Sequence, residues 1–170
     1  FTAADIFHET CKRIKEVLPD VIIVAGGNYP TDAPETILKD HNVSYIIISE
    51  GELAFYRFLK AFLNGEDLTS VPNLRYIDQT GKIHFNQVEL ISNISTIPIP
   101  DRSPLPMHIY SRGRNLLDRI YGPGNYKALS MTISRGCAHA CTFCNAVNFW
   151  GRVIRYRDTE SVLDEMQILK

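Results

Sequence analysis

Apolar residues recur at helical spacing from the start of the chain: Ile6, Phe7, Cys11, Ile14, Val17 and Leu18 share one side, with Lys12, Arg13, Lys15 and Glu16 on the other. Thr2 and Asp5 have the chemistry of a helix start, and Pro19-Asp20 that of a stop. The period then changes. Val21-Ile22-Ile23-Val24-Ala25 is a short, continuously apolar run, as expected of a parallel strand covered on both faces, and Gly26-Gly27-Asn28-Tyr29-Pro30 ends it in a glycine turn. A short helix over 32–39, with Pro34 near its first turn, precedes a second buried strand over 43–48. Leu53, Phe55, Tyr56, Leu59, Phe62 and Leu63 line a third helix, closed by Asn64-Gly65. Helix and strand alternating in this order predict right-handed βαβ units and a doubly wound α/β sheet.

Beyond that half the pattern becomes local. Leu74-Arg75-Tyr76-Ile77 and Lys82-Ile83-His84-Phe85, joined through Asp78-Gln79-Thr80-Gly81, read as a β-hairpin. Four prolines (Pro98, Pro100, Pro104, Pro106) exclude regular helix or sheet over 97–106 and suit an interdomain linker. The stretch 112–124 reads as an irregular excursion, 128–133 as a strand, and 159–169 as a helix carrying Val162, Leu163, Met166 and Leu169. The expected organisation is therefore an α/β domain over 1–66, a hairpin and Pro-rich linker over 67–127, and the start of a second domain over 128–170.

Composition narrows the partners. Across 170 residues, 18 basic and 19 acidic side chains give a formal charge of −1, which gives no broad electrostatic reason to expect nucleic acid or an anionic membrane and points to a small-molecule substrate. No apolar run approaches the roughly 20 residues that a membrane-spanning helix needs, so the chain is expected to be soluble and cytoplasmic. It starts on Phe1 without a leader and stops at Lys170 inside an amphipathic pattern, as expected of an internal piece of a longer polypeptide.

Of the 4 cysteines, three crowd into Ser134-Arg135-Gly136-Cys137-Ala138-His139-Ala140-Cys141-Thr142-Phe143-Cys144, directly after the predicted strand. Secreted disulfide frameworks spread their cysteines across the fold; crowded thiols fit metal binding. Three thiolates on one short loop can bind three irons of a cubane and leave the fourth open to a substrate or cofactor. Two other chemistries compete. A structural zinc site needs four ligands and would recruit His139 or Cys11, but His139 sits between two cysteines and Cys11 on an apolar helix face. A dithiol built on Cys141-Thr142-Phe143-Cys144 leaves Cys137 without a role. His139 reads as a solvated loop residue and Cys11 as core.

The C-x3-C-x2-C loop with Phe143 before its last cysteine resembles the signature of the radical S-adenosylmethionine (SAM) superfamily. The following Phe149-Trp150-Gly151-Arg152-Val153-Ile154-Arg155-Tyr156-Arg157 and Thr159-Glu160-Ser161-Val162-Leu163-Asp164-Glu165 resemble its cobalamin-dependent members. The first half resembles their B12-binding domain in Ile23-Val24-Ala25-Gly26-Gly27, Asp32-Ala33-Pro34-Glu35 and Ile48-Ser49-Glu50-Gly51-Glu52. The resemblance extends to anaerobic magnesium-protoporphyrin ester cyclases. It implies a partial Rossmann or flavodoxin-like B12-binding domain, a linker, and the start of a radical SAM partial TIM barrel. It also implies an enzyme holding a [4Fe–4S] cluster on Cys137, Cys141 and Cys144, with Phe143 near the adenine of S-adenosylmethionine. Gly26, Gly27, Ser49, Glu50 and Gly51 would flank the nucleotide tail or corrin of cobalamin. Such an enzyme cleaves S-adenosylmethionine to a 5′-deoxyadenosyl radical, for methyl transfer or tetrapyrrole-type cyclisation, and takes electrons from a reducing partner such as flavodoxin or ferredoxin. Arg155 and Arg157 would pair with carboxylates of the cofactor or of the next helix. The rest of the barrel and the first strands of the B12 domain would lie outside 1–170, so this piece alone would be inactive.

Overall fold

The computed structural model describes residues 3–110 and 129–169, which divide into two compact units. The first comprises 3–92 and 136–154; the second comprises 93–110, 129–135 and 155–169. The predicted excursion over 112–124 lies outside the described residues.

The first unit is built on a four-stranded sheet in the order β1 (Val24–Gly26), β2 (Tyr45–Ile47), β3 (Leu74–Ile77) and β4 (Ile83–Phe85). β1 and β2 are parallel, with Val24 opposite Tyr45 and Gly26 opposite Ile47. The remaining pairs are antiparallel: β3 lies along β2 with Tyr76 opposite Tyr45, and the hairpin adds β4. The doubly wound expectation therefore holds for one strand pair, and the sheet is mixed. The hairpin extends the sheet because Leu74 and Tyr76 project into the same core as Ile47.

Alternation along the strands sends side chains to two cores. Ile46 and Ile48 join Cys11, Ala25, Ile37, Leu38 and Val43 on one face. Ile47 joins Ala54, Phe58, Ala61, Val71, Leu74 and Tyr76 on the other. Helix α1 (Ala4–Val17) supplies the first face with Cys11, buried as the sequence suggests, while Ile6, Ile14, Val17 and Leu18 remain exposed. Its N-cap is Ala3, without a side-chain cap.

Two elements depart from the pattern-based reading. The predicted strand over 21–25 is shifted toward Gly26, because pairing with β2 begins only after the Ile23 carbonyl accepts the Ser44 and Tyr45 N–H groups. The predicted glycine turn and single helix become two short helices, α2 (Asn28–Asp32) and α3 (Pro34–Leu38), with Gly27 as N-cap of α2.

Helix α4 (Glu52–Asn64) ends as predicted, with Gly65 in the left-handed region at φ 67°. Its buried face, however, is Ala54, Phe58 and Ala61 rather than the Leu53, Phe55, Tyr56, Leu59 and Leu63 set, all of which are exposed. Two alanines flanking Phe58 let the helix seat closely on the sheet, and the Phe58 ring meets Tyr45 at 4.8 Å between centroids.

In the second unit, residues 97–106 form neither helix nor strand, as the prolines require, and α5 (Met107–Tyr110) follows. Over 129–133 the predicted strand is not formed; pairing is confined to β5 (Ser134–Arg135) and β6 (Arg155–Tyr156), which are antiparallel. A barrel strand needs parallel neighbours, and none pairs with 129–133 among the described residues. Helix α7 (Thr159–Leu169) matches its predicted span, yet the residue it buries is Glu165.

Candidate cofactor site

Both strand ends that the sequence marks as ligand-facing open on one cavity. Gly26, Gly27, Ser49, Glu50 and Gly51 line it, together with Phe55, Phe149 and Trp150, around a volume of about 460 Å³. It lies at the carboxyl ends of the parallel pair β1 and β2, where ligands of α/β sheets bind. Gly27 has φ 95°, a conformation that disfavours a side chain, and a Cβ built there meets nothing within 4 Å. The backbone is therefore open to a ligand at that point.

The loop after β2 is held under strain. Ser49 has φ 59°, in the left-handed region that a non-glycine residue enters at a cost of about 1–2 kcal/mol. Two contacts hold it: its N–H donates to Thr31 Oγ1 at 2.9 Å, and its buried hydroxyl donates to the Phe149 carbonyl at 2.5 Å. Glu50 is equally committed, since its Oε2 accepts the Ile91 N–H at 2.7 Å.

Beneath them Asn73, also left-handed at φ 62°, ties three segments together. Its Nδ2 donates to the carbonyls of Glu50 and Glu89, each at 3.0 Å, and its Oδ1 accepts the Glu89 N–H at 2.7 Å. Its main chain donates to the Gln87 carbonyl and accepts the Ile48 N–H. Asn73→Ala should cost about 3 kcal/mol in urea unfolding, because it orphans the buried Glu50 carbonyl and the part-buried carbonyl and N–H of Glu89 and leaves alanine in a strained conformation. A loss below about 1 kcal/mol would contradict this role.

The cysteine loop belongs to the same unit. Gly136 has φ 102°, and Cys137, half-buried, donates its N–H to the Gly151 carbonyl at 3.1 Å. Cys141 and Cys144 are exposed on one turn, with the Cys144 N–H donating to the Cys141 carbonyl at 3.2 Å. All four cysteines are free thiols, and among the described residues no three His, Cys, Asp or Glu side chains converge in a metal-holding group. His139 is exposed, and Phe143 is 91% exposed. The loop leads into α6 (Ala146–Trp150), where Asn145 Nδ2 donates to Asp32 Oδ1 of α2.

In the second unit, Glu165 is 1% exposed and accepts from Arg102 Nη2 at 2.8 Å and from Arg157 Nη1. Burial pushes its carboxyl up, but the bonds from Arg157 and Arg102 outweigh that and leave it below the usual carboxylate range. Arg157 also donates to the Ser161 and Thr132 carbonyls, and its bond to Glu165 is the expected pairing of this arginine with a carboxylate of the following helix.

Phe55, Phe149 and Trp150 are cavity residues that strand-and-loop reasoning missed. The signal lay in the Phe149-Trp150-Gly151 run, which resemblance attached to the cysteine loop alone.

No protein-family model matches the chain. It is 30% identical over 164 residues to a Pyrococcus horikoshii protein named uncharacterized methyltransferase PH0819, covering 95% of this chain and 33% of that protein. It is 33% identical over 156 residues to the anaerobic magnesium-protoporphyrin IX monomethyl ester cyclase of a Synechocystis species, covering 90% of this chain and 28% of the cyclase. The fold matches that of the cobalamin-dependent S-adenosylmethionine radical enzyme OxsB, solved with aqua-cobalamin bound. That match has a TM-score of 0.78 and 23% identity, over 99% of this chain and 22% of the other. The chain thus shares its fold with a segment of that enzyme. The chain is homologous to part of the anaerobic magnesium-protoporphyrin IX monomethyl ester cyclases and of the cobalamin-dependent radical SAM methyltransferases. It spans about a third or less of the length of these relatives.

Proposed function

We propose that the chain is the part of a cobalamin-dependent radical SAM enzyme that carries the corrinoid pocket and the cluster loop. The observation that carries this reading is structural. The cavity lined by Gly26, Gly27, Ser49, Glu50 and Gly51 shares one compact unit, and the residues Phe149 and Trp150, with the segment that bears Cys137, Cys141 and Cys144.

The residues fit the two groups. A cavity of about 460 Å³ falls within the range of small-molecule sites, about 300–1,000 Å³, and suits the nucleotide portion of a corrinoid. Three free thiols spaced C-x3-C-x2-C on one loop, two of them exposed, offer the donors that a cubane cluster would draw together on binding. When bound, the cluster would supply an electron to S-adenosylmethionine and the corrinoid a cobalt centre. The chain's own contribution is placement. Gly26 and Gly27 let a ligand approach the backbone, Ser49 ties the pocket loop to the segment after the cysteines, and Gly136 with Gly151 fixes the base of the cysteine loop. Phe143, exposed beside Cys144, is the candidate for contact with the adenine of S-adenosylmethionine.

The reaction class is methyl transfer or tetrapyrrole-type ring closure on a small-molecule substrate, with a one-electron donor such as flavodoxin or ferredoxin as partner. No helix of the described residues is long and apolar enough to cross a membrane, and the free thiols suit the reducing cytoplasm.

The full-length polypeptide carrying this chain should retain about one hydroxocobalamin through desalting, read by corrin absorbance, and Gly27→Val should lose it by filling the cavity. A wild type that emerges free of corrinoid would overturn the pocket assignment.

A further inference from the structure

Three polar side chains line the cavity, Ser49, Glu50 and Glu52, the last of these the first residue of α4. The Ser49 hydroxyl holds the Phe149 carbonyl, and the Glu50 carboxylate holds the Ile91 N–H. With Ser49 and Glu50 so committed, glycine backbone and aromatic faces make up most of what remains for a ligand. Of the three aromatic residues lining the cavity, Phe55 comes from α4, while Phe149 and Trp150 end α6.

Phe149 is buried, and its ring sits 4.4 Å from the Trp150 ring at 63° between planes, so it acts as a backing for Trp150. Gly151 stops the helix directly afterwards at φ 76°, and a Cβ there would meet Leu90 Cδ1 at 2.6 Å. Its carbonyl accepts the Cys137 N–H. Trp150 is thereby held at the cavity wall from both sides of the chain: by Ser49 through Phe149, and by Cys137 through Gly151.

We propose that Trp150 is a ligand-contacting residue of the corrinoid pocket, packing its indole against the planar base of the nucleotide tail. The assignment rests on the corrinoid reading above and adds a residue from the segment after the cluster loop. A flat heteroaromatic base offers the offset or edge-on geometry that an indole favours, and a cavity of about 460 Å³ matches a base and its sugar better than a corrin ring.

The test uses the full-length polypeptide, labelled with 5-fluorotryptophan, and two probes: hydroxocobalamin, and cobinamide, which lacks the nucleotide. The fluorine resonance absent from the W150F variant should shift on addition of hydroxocobalamin and stay in place with cobinamide. Equilibrium dialysis should give W150A a Kd for hydroxocobalamin about tenfold weaker than wild type, with W150F restoring most of the affinity. An unmoved fluorine resonance in protein that has taken up hydroxocobalamin would overturn the role of Trp150 and leave the corrinoid reading standing. A shift of equal size with both probes would overturn the assignment to the base. Wild-type protein that takes up neither probe would overturn the corrinoid reading and this inference with it.

Discussion

Gly136→Ala is expected to abolish metal loading while leaving Cys137, Cys141 and Cys144 intact. A Cβ at residue 136 would lie 2.1 Å from the Val153 carbonyl oxygen and 2.8 Å from its carbon. Both are backbone atoms of a segment tied down by Gly151, so no side chain can rotate away. The φ of 102° adds strain for any L residue. Relief requires the base of the loop to open, which breaks the bond from the Cys137 N–H to the Gly151 carbonyl. With Cys137 displaced from its place before the turn bearing Cys141 and Cys144, the loop can no longer draw the three thiolates together around a cluster. Iron bound after anaerobic reconstitution should fall from about four per chain to below about one. A Gly136→Ala protein that still takes up a full complement would show that the loop tolerates a moved base.

The second large effect concerns Glu165. Replacing it with glutamine removes the acceptor charge between Arg102 and Arg157, whose side chains are 19% and 9% exposed. Two guanidinium groups would then face each other without a carboxylate, and breaking such a buried cluster costs about 3 kcal/mol or more. The pH dependence has a definite sign. The folded-state carboxyl lies below its ordinary value of 4.5, so the stabilisation is fully present above the unfolded value and is lost as pH falls through the folded one. Urea midpoints of the wild type should therefore drop on acidification below pH 4.5, and Glu165→Gln should be less stable at neutral pH with a flatter acid limb. Equal midpoints at neutral pH would mean that the triad contributes nothing net.

Local features were legible in the sequence. The Asn64-Gly65 stop of α4, the span of α7, the proline-enforced irregularity over 97–106 and the buried Cys11 all follow from backbone preferences or period. The two glycine-bearing loops were legible as cavity-lining because both follow buried strands.

Features decided by pairing across the chain were not legible. Nothing in Leu74-Arg75-Tyr76-Ile77 says that it will lie antiparallel to β2, since the neighbour is chosen by the shared core around Ile47 and Phe58. The α4 face was misread because large apolar residues draw attention, whereas close seating on a sheet selects alanine at 54 and 61. Pairing of Arg157 with a carboxylate of the next helix was legible, but the burial of Glu165 was not, since it also takes Arg102, 63 residues away. Trp150 enters the cavity through a contact between residues 49 and 149, a separation that no local motif encodes.

Under the proposed function, Cys137, Cys141 and Cys144 hold an iron–sulfur cluster in a radical SAM enzyme. The most direct test is anaerobic reconstitution of the full-length polypeptide with iron and sulfide, followed by an absorbance spectrum and metal count for wild type and Cys137→Ala. The expected result is a brown wild type with broad charge-transfer absorbance and about four irons, lost in the variant. A colourless protein that retains zinc would contradict it.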